Sequence, residues 1–313
     1  MTACVIPTRL SRPTALNSTS HPENAAASGA PSGLAYLWHR GLGGLPRFAV
    51  IGLARRLGDC RWPPLTRLLI RSFCRIFKVD LTEAAIPEAS GYASFNAFFT
   101  RALRQGVRPI AAGTRFACPC DGRIAAQGVV TDGLLLQAKG LHYRLEDLLG
   151  CAEAAATFAG GSYLTIYLAP RDYHRVHLPA PARIARLQRM PGRLHAVNAS
   201  SAAVIPGLYV ENERVVACFE GDDSVGAFAL VMVAAIGVSG IRLTHPAFSP
   251  RELPSQAIHY PANEAPSYAL GDEFGLFELG STVILLLGRD SPLCLPPLSI
   301  GSPVRMGMTL LAS

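Results

Sequence analysis

From Arg115 to the C-terminus, short apolar runs alternate with turn residues, and that punctuation restricts this part of the chain to a β-rich fold. The runs include Leu134-Leu135-Leu136, Tyr163 to Leu168 and Arg214 to Phe219. Asp132-Gly133, Gly160-Gly161, Pro191-Gly192 and Gly221 separate them. Near the end, Leu279-Gly280-Ser281-Thr282 leads into Val283-Ile284-Leu285-Leu286-Leu287, which reads as a turn feeding a buried strand. The longest apolar run, Val225 to Ile241, is broken by Gly226, Gly237 and Ser239 and suits consecutive buried strands better than a spanning helix. The expectation is a mostly antiparallel β core over residues 110–313 with few helices, one of them closing over Glu146 to Leu149.

The first half has a different texture. Residues 1–33 are rich in Ser, Thr, Ala, Asn and Pro without an apolar period, and read as a disordered tail. Residues 34–109 read as a basic helical region. Ala49 to Arg56 suggests a short helix closed by Gly58, and Pro63-Pro64 opens a second one. In that helix Leu65, Leu69, Phe73 and Phe77 recur every four residues, with Leu68 and Ile76 beside them. Arg67, Arg71, Arg75 and Lys78 fall on the opposite side. Ser94 to Arg101 reads as a capped amphipathic helix. The overall class is therefore α+β, with N-terminal amphipathic helices followed by the β core.

Of 313 residues only 16% are charged, and a net charge of +7 rests on arginine, since Lys78 and Lys139 are the only lysines. A basic, apolar chain suits either nucleic acid or an anionic membrane surface. Because the basic cluster is interleaved with long aliphatics, and Trp38, Phe48, Trp62 and Phe73 supply anchors, the expected partner is an anionic membrane and not nucleic acid. The eight cysteines show neither CxxC pairs nor Cys/His spacing for zinc, so they are expected as reduced core residues and no metal site is indicated.

Three places carry chemistry. Asp121-Gly122 follows Cys118-Pro119-Cys120, and in isolation is an ordinary turn pair. Arg171-Asp172-Tyr173-His174-Arg175-Val176-His177 packs two histidines, an acid and two arginines directly after an apolar strand. Gly280-Ser281 is the third. Asp121, His177 and Ser281 could serve as acid, base and nucleophile, although Ser281 lacks the Gly-x-Ser-x-Gly elbow of common esterases.

Taken together, these stretches resemble the phosphatidylserine decarboxylase proenzymes, particularly the bacterial form with a Leu-Gly-Ser-Thr processing site. The resemblance is carried by Phe95-Asn96 with Phe98-Phe99, Val107-Arg108-Pro109, Pro119 with Asp121-Gly122, and Leu136 to Gly140. It continues through His174 and His177, Pro191-Gly192, Val197-Asn198, Glu211 to Val215, and Leu279 to Ile284.

The resemblance implies self-cleavage between Gly280 and Ser281 into a large (β) and a small (α) chain. Ser281 Oγ would attack the Gly280 carbonyl, with His177 as base and Asp121 orienting its imidazole. Elimination would leave Ser281 as a pyruvoyl group, the covalent cofactor and Schiff-base site for the substrate amine. His174 is the candidate proton donor in the decarboxylation of phosphatidylserine to phosphatidylethanolamine. A dimer of the processed pair, peripheral on the cytoplasmic face of the cell membrane, is also implied. Two other readings stand beside it. One is a Ser-His-Asp lipid acyl hydrolase that stays intact; the other is a membrane-binding β scaffold in which Gly280-Ser281 is only a turn.

Overall fold

The computed structural model describes Gly52 and residues 56–312, apart from 236–239, 246–247, 249–254 and 279. The expected tail over 1–33, the anchors Trp38 and Phe48, most of the Ala49–Arg56 helix and Leu279 lie outside the described residues. Gly52 and residues 56–59 are helical, so the helix runs through Gly58 instead of closing on it.

Helix α1 (Pro63–Phe77) starts on its prolines and ends at Lys78, whose φ of 55° is left-handed. Helix α2 (Phe95–Phe99) is capped as its sequence requires, the Ser94 hydroxyl accepting from the Ala97 N–H at 3.1 Å. The two helices share a small core in which Ile70, Tyr92, Phe98 and Phe99 are buried and Phe73 packs edge-on to three other phenylalanines, Phe95, Phe98 and Phe99.

The face α1 turns inward differs from the expected one. Thr66 and Ile70 are buried, while Leu68 is 62% and Ile76 72% exposed. The reason is geometric. At about 100° per residue a four-residue step drifts by about 40°, so Leu65 and Phe77 are about 120° apart and cannot share one seam.

The rest is β-rich. Strands β1 (Thr114–Ala117), β2 (Gly122–Val129), β3 (Leu134–Ala138) and β4 (Leu141–Arg144) precede the short helices α3 (Leu145–Leu149) and α4 (Ala152–Phe158). Then come β5 (Ser162–Leu168), β6 (Arg175–His177), β7 (Ala182–Met190), α5 (Ala199–Ala202) and α6 (Leu208–Glu211). Strands β8 (Arg214–Glu220), β9 (Ala227–Ala234), β10 (Ile241–Leu243), β11 (Ile258–His259) and β12 (Ser267–Tyr268) follow. The last four are β13 (Glu273–Phe277), β14 (Ser281–Leu287), β15 (Pro303–Val304) and β16 (Thr309–Ala312).

Nine strands form one antiparallel sheet in the order β11-β7-β8-β9-β14-β5-β2-β15, with β12 also on β7. A smaller sheet runs β10-β13-β6. Strand β14 is central and every residue in it is buried. Its alternate side chains enter different cores: Val283, Leu285 and Leu287 join one, Ile284 and Leu286 the other. A strand covered on both faces needs an unbroken apolar run, which is what the sequence supplies. Among the described residues no helix is long and apolar enough to cross a membrane.

Candidate active site

Strand β14 begins at Ser281, paired with Leu168 of β5 on one side and Ala234 of β9 on the other. Gly280, just before it, has φ of 55°, in the left-handed region where an L side chain is strained. Here the chain crosses from the small sheet to the large one. Ser281 has no exposed surface, and its Oγ has no hydrogen-bond partner. A buried, unpaired hydroxyl costs on the order of 1–3 kcal/mol, so this serine is a liability to folding.

The histidine cluster lies beside that crossing. The Phe277 N–H donates to the His174 carbonyl at 3.0 Å, joining the segment to β13 three residues before Gly280. His174 is fully buried, its ring 4.1 Å from that of Phe99. Its Nδ1 lies 2.8 Å from the Asp172 carbonyl, which can only accept, so Nδ1 carries the proton. Nε2 is left as a buried lone pair with no partner. Burial pushes the imidazole pKa down to about 3, which keeps this ring neutral near pH 7.

His177 is held in the same tautomer. Its Nδ1 donates to the Gly271 carbonyl at 2.8 Å, and its Nε2 accepts from the Tyr173 hydroxyl at 2.9 Å. Burial lowers its pKa, opposed by the Gly271 hydrogen bond and by the charges of Glu273 and Asp121.

Asp121 comes close by a separate route. The His177 N–H donates to the Pro119 carbonyl at 2.8 Å, which lays β6 against the Pro119–Gly122 segment. Asp121-Gly122 is no hairpin turn here, because Gly122 opens β2. A Cβ at Gly122 would sit 2.5 Å from the Tyr167 carbonyl oxygen, so only glycine permits this approach to β5. The Asp121 carboxylate accepts two hydrogen bonds from Arg108, at 3.0 and 2.6 Å, and a third from the Met306 N–H at 2.8 Å. Arg108 also donates to Glu83 at 2.7 Å, and Arg305 meets Glu83 at 3.2 Å.

The fold thus brings Asp121, His174, His177 and Ser281 onto adjoining segments at one end of the large sheet. It does not link Asp121 to His177 by a direct hydrogen bond, nor Ser281 to either histidine. The place expected for Asp121 on Nδ1 of His177 is taken by the Gly271 carbonyl.

Three contributors were invisible in the residue pattern. Arg108 stands in a quoted motif, but nothing local pairs it with a carboxylate 13 residues on. Tyr173 sits inside the polar cluster without a signal of its own. A backbone carbonyl such as that of Gly271 leaves no sequence trace at all.

What this arrangement can do is acyl transfer at the chain itself. A sealed hydroxyl lies next to a left-handed glycyl peptide, with two neutral imidazoles whose Nε2 lone pairs are the basic positions. The same features fit a group made from Ser281, because a hydroxyl without a partner is lost at no structural cost.

Comparison with known proteins points to one family. The profile of the phosphatidylserine decarboxylase family matches residues 95–312. The chain is 42% identical over 270 residues to the phosphatidylserine decarboxylase proenzyme of Bordetella pertussis (strain Tohama I), covering 85% of this chain and 90% of that one. It is 41% identical to the proenzyme of Acidovorax ebreus (strain TPSY) over 84% of this chain and 93% of the relative. With the proenzyme of Ectopseudomonas mendocina (strain ymp) it shares 40% identity over 85% and 94%.

Proposed function

The chain belongs to the phosphatidylserine decarboxylase family and makes its pyruvoyl group from a serine by self-cleavage, and we propose that the serine is Ser281 and the cut bond Gly280–Ser281. The observation that carries this is Ser281 itself: unexposed, unpartnered and preceded by a left-handed glycine.

The roles follow from the atoms. Ser281 Oγ attacks the Gly280 carbonyl carbon while Nε2 of His177 takes the hydroxyl proton, once the Tyr173 hydroxyl yields that nitrogen. The Gly271 carbonyl keeps the other proton on Nδ1, so Nε2 is the basic end. Asp121, held by Arg108, acts on His177 through its charge and favours the imidazolium as it forms. The acyl group passes from nitrogen to oxygen, giving an ester. Removal of the Ser281 α-proton then expels the Gly280 carboxylate, leaving dehydroalanine, whose hydrolysis releases ammonia and leaves the pyruvoyl carbonyl.

That group supplies an electron sink for the loss of CO₂ from phosphatidylserine. His174 delivers the proton that replaces the carboxylate through its unpartnered Nε2; burial keeps the ring neutral at rest, so Nε2 takes that proton up only in the course of turnover. In the uncut chain residue 281 has no exposed surface, so a lipid reaches it only after the cut. The same burial disfavours the acyl-hydrolase reading, since an external ester cannot meet Ser281 Oγ.

Helix α1 supports a peripheral place on an anionic leaflet, which we assign to the cytoplasmic face of the cell membrane. Beside its buried seam it carries an exposed stripe with Trp62 (63% exposed), Leu68 and Ile76, flanked by Arg67, Arg71 and Arg75. We carry over from the family resemblance a dimer of the processed pair, which native mass spectrometry checks.

Intact mass tests the central claim. The active protein should give two chains, the smaller beginning at residue 281 with a blocked amino terminus, and Ser281→Ala should stay full length. An uncut chain that decarboxylates would overturn it.

A further inference from the structure

Between the C-terminal end of α1 and the candidate site lies a cavity of about 230 Å³. It reaches from Lys78, which caps α1, to Asp121 and Tyr173, the two side chains that act on His177. Its charges do not cancel. Asp121 and Glu83 are spent on Arg108 and Arg305. Asp172 is 3.9 Å from Arg171, and Asp80 accepts from its own neighbour Thr82. Lys78, Arg101 and Arg123 also line the cavity, and among the described residues none of the three has a carboxylate partner.

Arg101 is the telling one. It is 5% exposed, and only Nη2 donates, to the carbonyls of Arg171 at 2.9 Å and Asp172 at 3.3 Å. Its Nε and Nη1 have no hydrogen-bond partner. With no carboxylate in contact among the described residues, only the Phe98 ring 5.4 Å away and the more distant charges of Asp121 and Asp172, a guanidinium this buried is expensive, and an anionic ligand is the usual compensation. The Asp172 carbonyl that it shares also receives Nδ1 of His174, so Arg101 and His174 are fixed to one atom.

We propose that this cavity is the subsite for the phosphodiester of the lipid headgroup, with Lys78, Arg101 and Arg123 as its cationic contacts. The inference rests on the decarboxylase activity, whose substrate offers two anions. The serine carboxylate is the poorer occupant, because it must lose its charge as CO₂ and a cation on it would hold that charge in place. The phosphodiester keeps its charge throughout, and binding it spends affinity on a part of the substrate that does not react. The cavity also opens where α1 ends, two residues beyond the exposed Ile76, which is where a headgroup would enter from a membrane surface.

The test uses self-cleaved enzyme and monomeric short-chain phosphatidylserine below its micellar concentration, with anionic vesicles as a second substrate form. Lys78→Gln, Arg123→Gln and their double variant should cut themselves like the wild type by intact mass. Each should raise KM for the monomeric lipid about tenfold with kcat changed far less, the scale of one charge-assisted contact. Glycerophosphoserine should compete in the wild type and lose that competition in the double variant. Arg101→Lys, which keeps the charge but not the fork, should raise KM too; if it fails to fold, the double variant decides alone.

Unchanged KM on monomeric lipid overturns the proposal, and a rise in KM confined to vesicles would assign these cations to the membrane surface. Competition by inorganic phosphate with KM unchanged would instead mark a free-phosphate site and overturn it too. If wild-type enzyme is cleaved but releases no CO₂, the decarboxylase reading fails, whatever the cations do.

Discussion

Arg108 holds Asp121 with a two-pronged grip and touches Glu83 with the same nitrogen that reaches Asp121 Oδ2. Losing the fork would leave a buried carboxylate short of its main partner. Arg108→Gln should therefore slow self-cleavage by a factor on the order of ten to a hundred, from hydrogen bonds to a charged group worth about 1.5–3 kcal/mol. Arg108→Lys should recover part of it. Time courses of the full-length band by intact mass measure both, and cleavage at the wild-type rate in the Gln variant would remove Arg108 from the mechanism.

His174 makes a second statement at this scale. Its folded pKa of about 3 lies below the ordinary 6.5, so between those values the unfolded chain binds the extra proton. The stability it contributes is complete above pH 6.5 and falls as pH drops towards 3, by about 1.4 kcal/mol per unit. His177 is shifted in the same direction. Urea midpoints of the uncut Ser281→Ala precursor should fall from pH 7 to pH 5, and His174→Gln should flatten that slope.

At the scale of elements, β14 and α1 show two ways in which an apolar pattern can be spent. The run from Val283 to Leu287 was readable because a strand buried on both faces is apolar at nearly every position; only Ser281 and Thr282 at its start are polar. Leu285 is unexposed in that strand, and Leu285→Ala should cost about 2–5 kcal/mol in denaturant titrations of the precursor. Helix α1 was readable as a helix but not in its facing. Its leucines and phenylalanines split between a buried seam and an exposed stripe, and only the neighbours Tyr92, Phe98 and Phe99 decide which is which. Leu68→Glu with Ile76→Glu should leave self-cleavage intact and reduce sedimentation with anionic vesicles several-fold. Binding to neutral vesicles that matches the wild type's anionic binding would refute the electrostatic part of that account.

At the scale of the whole molecule, the helical region and the sheet meet through polar contacts at the site itself. Glu83 reaches Arg108 and Arg305, and Arg175 of β6 donates to the Thr100 carbonyl at the end of α2 while pairing with Glu273. The helical region is thus tied to the segments that carry Asp121 and the two histidines. The sequence by itself determined the β-rich half, the capped α2 and the central strand after Ser281, because periodicity and turn residues are local, and it offered four candidate side chains. Tertiary structure alone decided that Asp121 is gripped by Arg108, that Gly271 and Tyr173 hold His177, and which side of α1 is left bare. Those outcomes depend on partners 4 to 94 residues away, brought together only when the strands are in register, and no local pattern encodes such a meeting.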